Sequence, residues 1–222
     1  MNAKEIISDI DKICANYFVP KTLQLHMRLV AGVAKKICEH SKEKIDKEKI
    51  IAVALIHDIG NIVKMKFEGK SLRLLLKSDF KRIDFYKTKK EEFLKKYGAD
   101  DKATNYAIAK ELGVEAKLLE LIDPSSAIKI NGEKYFISKN FTKLVLFYSD
   151  LRVSPEGVVS MKKRLKEFEE RYSLKDSPEK LAYSKTFFKA AEEMEKIVFQ
   201  KINLSPHDIN KKTIKAFFSK KI

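Results

Sequence analysis

A chain of 222 residues, 44% hydrophobic and 35% charged, is long enough to bury a real core and has the balance of a globular protein, not a fibrous or disordered one. No apolar run approaches the roughly 20 residues needed to span a bilayer, and the polar, amphipathic start MNAKEIISDIDKI has no signal-peptide apolar region, so a cytoplasmic protein with no membrane partner is expected. Lys and Arg outnumber Asp and Glu by 46 to 31, a net charge of +15, which admits anionic partners, nucleic acid among them.

The guanidinium groups are only those of Arg28, Arg73, Arg82, Arg152, Arg164 and Arg171. Lysine carries the rest of the positive charge, is spread along the whole chain, and is the poorer residue for bidentate phosphate and base contacts. A lysine-rich solvated surface accounts for most of it. Cys14 and Cys38 are too few for a disulfide framework, lack CxxC spacing and sit among helical apolar residues. They read as buried structural thiols.

In chain order, residues 4–17 carry Ile6, Ile7, Ile10, Ile13 and Cys14 at helical spacing. Phe18-Val19-Pro20 interrupts this helix, because proline disfavours helical geometry in the residue before it. A second helix is predicted over residues 22–40, with Leu23, Val30, Val33, Ala34 and Ile37 on one face and His26 on that same face. After the charged turn SKEKID, Asp46 caps a helix starting near Lys47, in which Ile50 to Ile56 are consecutive apolar residues. A helix apolar on nearly every side is a buried one. It runs into His57 and Asp58, and Gly60 is expected to close it in a left-handed turn.

Residues 63–96 are basic and aromatic, with a helix predicted over 79–97 and no clear reading of 67–78. Asp100 caps a helix over 101–112 closed by Gly113, and a short one covers 115–122. Ala127-Ile-Lys-Ile and Lys134-Tyr-Phe-Ile flank Asn131-Gly132, a two-residue hairpin signal. A small β-hairpin excursion on an otherwise helical domain follows from it. Residues 141–151 are again nearly all apolar and again end in a carboxylate, Asp150. Ser154-Pro155-Glu156-Gly157 is a turn. The helix over 158–172, with its KKRLKEFEER stretch, presents a solvated, ion-paired face. Ser177-Pro178 and Ser205-Pro206 open the last two helices, about 178–202 and 206–219. No internal repeat or low-complexity linker divides the chain, so residues 1–222 are expected to form a single all-α domain. The apolar residues of its terminal helices leave monomer and homodimer both open.

His26, the His57–Asp58 pair and Asp150 are polar residues on, or at the ends of, strongly apolar helices. Desolvating them is costly unless they are paired, hydrogen-bonded or bound to a metal. Two imidazoles and two carboxylates suit a divalent ion of the Mn, Fe, Co, Ni or Zn type, and helix bundles build such sites where helix ends meet.

The ordered set, LQLHMRLVAGVA around His26, ALIHDIG around His57 and Asp58, and YSDLRV around Asp150, resembles the HD-domain metal-dependent phosphohydrolases over about residues 20–165, with a helical extension beyond. The resemblance implies an HD-domain helical bundle that hydrolyses a phosphoester, most often of a nucleotide or related phosphorylated metabolite. It implies His26, His57, Asp58 and Asp150 as ligands of one divalent ion (Mn, Co, Ni, Fe, Zn or Mg), with His57 and Asp58 at the catalytic centre and Asp58 or a neighbouring carboxylate helping to orient the attacking water.

The chain departs from several branches of that family. No acidic pair follows the HD dipeptide, unlike in alarmone synthetase–hydrolases, and no Gly-Tyr-Pro motif follows, unlike in cyclic-di-GMP hydrolases. No histidine stands between His57 and Asp150, which favours a single ion, although Asp100 or Asp101 could approach a second position. Arg28, Asn61, Lys64, Lys66 and Arg152 are candidates to bind substrate phosphate. His40 reads as a helix C-terminal residue meeting the dipole, and His207 as exposed. The competing expectation is a basic nucleic-acid-binding protein, reading through residues 64–96, whose HD site is structural or degenerate.

Overall fold

The computed structural model describes residues 1–174 and 176–217. The first helix, α1 (Ala3–Asn16), starts on a capping box. The Asn2 side chain accepts from the Glu5 amide at 3.0 Å and the Glu5 carboxylate accepts from the Asn2 amide at 2.8 Å, satisfying two otherwise orphaned donors. Its buried stripe is Ile6, Ile10, Ile13 and Cys14. Helices α2 (Lys21–Glu39) and α3 (Lys47–Ile56) follow. Asp46 caps α3 by accepting from the Lys49 amide at 3.0 Å, and Ile50 to Ile56 are all 3% exposed or less. Such a helix has neighbours on every side: α1, α2 and α8 all pack on α3.

Beyond α3 come the 3-10 turns Asn61–Lys64 and Gly69–Leu74, then α4 (Lys77–Phe80), α5 (Ile83–Tyr97), α6 (Asp101–Glu111) and α7 (Ala116–Leu119). The antiparallel hairpin β1 (Ile128–Asn131) and β2 (Lys134–Ile137) lies against α10. Helix α8 (Phe141–Leu151) leads into a second, minimal hairpin, β3 (Val153–Ser154) and β4 (Gly157–Val158). Helices α9 (Met161–Arg171) and α10 (Pro178–Gln200) close the bundle, both capped by serine side chains, Ser160 and Ser177. The molecule is all-α, and one contiguous buried cluster runs from Ile6 to Phe217.

Several expectations are corrected. Gly60 has φ −94° and is not left-handed. A Cβ there would sit 2.5 Å from Thr104 Cγ2 and 3.0 Å from Asn105 Oδ1, so glycine is required by the close approach of α6. The helix expected over 79–97 is two, α4 and α5, with a break at Lys81 and Arg82. The first hairpin turns at Gly132-Glu133, one residue later than expected, because Asn131 pairs with Lys134. Helix α9 starts only after Val158 has paired with Val153.

The helix expected over 206–219 is reduced to the 3-10 turn Pro206–Asp208; residues 218 and 219 lie outside the described residues. The Asn210 side chain accepts from the Lys212 and Thr213 amides, and Thr213 Oγ1 donates to the Asp208 carbonyl at 2.6 Å. Local side-chain bonds of this kind compete with helix. Residues 205–217 instead form a strap that buries Ile209, Ile214 and Phe217.

That strap explains a glycine in the middle of α2. The Lys215 carbonyl oxygen lies where a Cβ on Gly32 would be, and the Phe217 amide donates to the Arg28 carbonyl at 2.9 Å. In an ordinary helix interior, Gly→Ala is stabilising by about 1 kcal/mol. Gly32→Ala is expected to have the opposite sign, lowering stability by about 1–3 kcal/mol through overpacking, as read from the urea midpoint.

Candidate metal centre

His26 stands one turn inside α2. The N-cap of that helix is Pro20, which makes no side-chain cap. The cap comes instead from Asp79 of α4, fully buried: Oδ1 accepts from the Lys21 amide at 2.8 Å, and Oδ2 from the Thr22 amide and hydroxyl, each at 2.6 Å. A carboxylate over the orphaned amides of a helix N-terminus is favoured by both hydrogen bonding and the helix dipole. This pins the turn that presents His26.

His57 and Asp58 follow the last residue of α3. His57 Nδ1 lies 2.9 Å from the Ala54 carbonyl. A carbonyl only accepts, so Nδ1 carries the proton and the neutral ring presents Nε2 to the cluster. Asp150 arrives on the last turn of α8. His26 Nε2 is 3.1 Å from Asp150 Oδ1 and 3.7 Å from Asp58 Oδ2. His57 Nε2 is 3.7 Å from an oxygen of each carboxylate, too far for a hydrogen bond, and it is a buried nitrogen with no partner. Ligand atoms of His26, His57 and Asp58 lie within 4.8 Å of one another. The helix ends therefore bring together the four side chains that stood out in the sequence.

The electrostatics are mutual. Burial alone would lower the His57 pKa, but Asp58 and Asp150 outweigh it and raise the imidazole to about 9. Burial alone would raise Asp150, but His26 and His57 hold its carboxyl well below the usual carboxylate range. A buried polar atom left unsatisfied costs about 1–3 kcal/mol. The unpartnered His57 Nε2, facing two carboxylates beside a second imidazole, belongs to a donor set that fits a divalent cation, which would take the place of its proton.

The residues expected to meet substrate phosphate fare differently. Arg152 is 2% exposed and fully committed. Its Nε donates to the Val159 carbonyl at 2.6 Å, Nη1 to the Tyr148 hydroxyl, and Nη2 to the Ile209 carbonyl at 2.5 Å and the Pro206 carbonyl at 3.2 Å, with Glu195 3.7 Å away. It joins α8 to the strap. Arg28, also buried, pairs with Asp11 at 2.7 Å and donates to the Phe217 carbonyl at 3.0 Å. Neither guanidinium is offered to a ligand, which corrects the expectation for both. Asn61 is buried in a structural network: its Oδ1 accepts from Asn105 Nδ2, whose own Oδ1 accepts from the Gly60 amide at 2.7 Å.

Lys64 does lie near the cluster. Burial would lower its pKa, but Asp58 and Asp101 raise it, and Nζ is 2.5 Å from Asp101 Oδ2. Lys66 is exposed. Asp100 caps α6, accepting from the Ala103 amide at 2.9 Å, and Asp101 is taken up by Lys64. His40 Nδ1 is 2.9 Å from the Lys36 carbonyl at the end of α2, and His207 is exposed. In the aromatic–basic segment, Phe67, Tyr86 and Phe93 are buried, while Arg82 and Lys89 stack on Phe85, Tyr86 and Phe18. Those rings and cations largely engage one another.

Arg152→Ala is expected to lower stability by about 3 kcal/mol, since it takes the guanidinium donor from the buried Val159 and Ile209 carbonyls and leaves Glu195 with the Tyr148 hydroxyl but no cation. Lys66→Ala should stay within about 0.5 kcal/mol. Urea denaturation reads both. In the metal-free protein, the folded pKa of His57 lies above the ordinary 6.5, at about 9. Its contribution to stability is therefore complete below about pH 6.5 and is lost as pH rises through about 9. Denaturation of the metal-free wild type across that window should show a fall that His57→Gln lacks.

Among the described residues, no helix is long and apolar enough to cross a membrane. The family model of the HD domain matches residues 24–128, a stretch that contains His26, His57 and Asp58 and ends before Asp150. No match was found among curated proteins or among solved structures. Residues 24–128, with the helical site they help to build, match the HD domain, a family whose members are mostly metal-dependent hydrolases.

Proposed function

We propose that this protein is a metal-dependent phosphohydrolase, a phosphomonoesterase or phosphodiesterase acting on a nucleotide or related phosphorylated metabolite. The observation that carries the reading is the buried, unpartnered Nε2 of His57 facing the carboxylates of Asp58 and Asp150 beside His26. His26, His57, Asp58 and Asp150 would hold one divalent ion. When bound there, such an ion supplies a Lewis acid for a phosphoryl oxygen and lowers the pKa of water into the neutral range.

The chain's own groups have definite tasks around it. The Ala54 carbonyl fixes the His57 tautomer, the outer contact that orients metal-ligating histidines in general. Asp79 holds the turn of α2 that carries His26. Lys64, close to Asp58, supplies a positive charge for the phosphate, and Asp101 steadies it. The net charge of +15 favours an anionic substrate over a neutral one.

The test is metal content of the purified wild type beside Asp58→Ala, followed by assays on nucleoside mono-, di- and triphosphates and bis(p-nitrophenyl) phosphate with Mn, Co, Ni and Mg added back. Near one equivalent of metal is expected in the wild type. Asp58→Ala should lose both metal and hydrolysis by more than the roughly 10–100-fold that an outer contact costs. Metal retained in Asp58→Ala with unchanged turnover would overturn the reading. Metal held by the wild type with salt-dependent RNA or DNA binding, but without hydrolysis of any phosphoester, would favour the nucleic-acid-binding alternative.

A further inference from the structure

A hollow separate from the metal centre lies on the segment between the 3-10 turn Asn61–Lys64 and α5. It has a volume of about 370 Å³ and is lined by Leu72, Arg73, Leu75, Lys77, Phe80 and Lys81, none of them a candidate metal ligand. The wall is apolar and the rim is cationic. Phe80 is 54% exposed, and Leu74 and Leu76 are exposed beside it. So much uncovered apolar surface in one place marks an interaction site more often than chance.

The charges are as telling as the leucines. Lys77 opens α4 and Lys81 caps its end, four residues on, a spacing that sets like charges side by side at an unfavourable cost. Among the described residues, neither they nor Arg73 has an acidic partner. The neighbouring Arg82 is different, since its guanidinium lies 4.3 Å from the Phe85 ring.

The hollow is also held in shape. The Leu76 amide donates to Thr22 Oγ1 at 2.8 Å, and Asp79 clamps α4 onto the start of α2. A site fixed before its ligand arrives spends less binding energy on ordering.

We propose that this hollow binds a small amphiphilic anion: a single acyl or alkyl chain carrying a phosphate or carboxylate head. A polar anion such as a sugar phosphate would leave its hydroxyls unpaired against Leu72, Leu75 and Phe80. A neutral lipid would leave the three cations unmatched. The volume lies at the low end of ligand pockets, about 300–1,000 Å³, which suits one chain and not two. The assignment is independent of the activity proposed for the metal centre.

The probe is decyl phosphate below its micelle concentration, titrated calorimetrically into the full chain, with decanol and inorganic phosphate as controls. Saturable binding is expected, with both controls weaker by about ten-fold or more. The triple variant Arg73→Glu, Lys77→Glu, Lys81→Glu and the single variant Phe80→Ser should each weaken it by a similar factor. Both change exposed side chains, and their melting curves should match the wild type. Decyl phosphate binding no tighter than decanol, or binding unchanged in the triple variant, would overturn the proposal. Co-sedimentation with phosphatidylglycerol vesicles, without saturable binding of the soluble probe, would overturn it in favour of a bilayer surface.

Discussion

Everything in this molecule answers to the cost of keeping two carboxylates and two imidazoles together on three helices, His57 buried and the other three half-buried. Asp58 makes the difficulty plain. It follows α3, where the unpaired carbonyls already concentrate partial negative charge, so a carboxylate at that end is unfavourable unless positive charge is close. In the metal-free protein that charge comes from His57, whose proton is held to about pH 9, and from Lys64 nearby. The cluster is stable only as a cluster, because the ionisation of His57 and of Asp150 is set by the charged groups around them.

Holding such a cluster requires rigid walls, and the packing supplies them. α3 is apolar all round because α1, α2 and α8 surround it. α2 is fixed at its start by Asp79 and near its middle by the strap over Gly32. α8 is fixed just past Asp150 by Arg152, whose partners lie on α8, on the loop after β4 and on the strap. The two buried arginines, Arg28 and Arg152, do for the helices that bear His26 and Asp150 what a disulfide does elsewhere: they tie distant chain segments to them.

The core of this arrangement was legible because its signals are local. An unbroken run from Ile50 to Ile56 can only be a buried element, and a His-Asp pair at its end is conspicuous. What was not legible depended on partners far along the chain. Arg152 beside Asp150 looks the same in sequence whether it meets a phosphate or the carbonyls of Pro206 and Ile209, more than 50 residues on. Gly60 suggested a left-handed turn, although its reason is the approach of Thr104. Asp79 read as the start of its own helix, whereas it caps another. Ser205-Pro206 is a genuine helix start that goes nowhere, because Asn210 and Thr213 hold the backbone in other bonds.

The cap supplied by Asp79 has one more consequence. The donor and acceptor of the Thr22–Asp79 bond are 57 residues apart, so the first turn of α2 cannot be protected while the segment around α4 is undocked. The Asp79 cap thereby couples opening of the Lys21 and Thr22 amides to undocking of α4. Whatever settles that segment onto the bundle also settles the turn that carries His26. An opening at the metal centre can thus begin on a different helix from the residue it displaces.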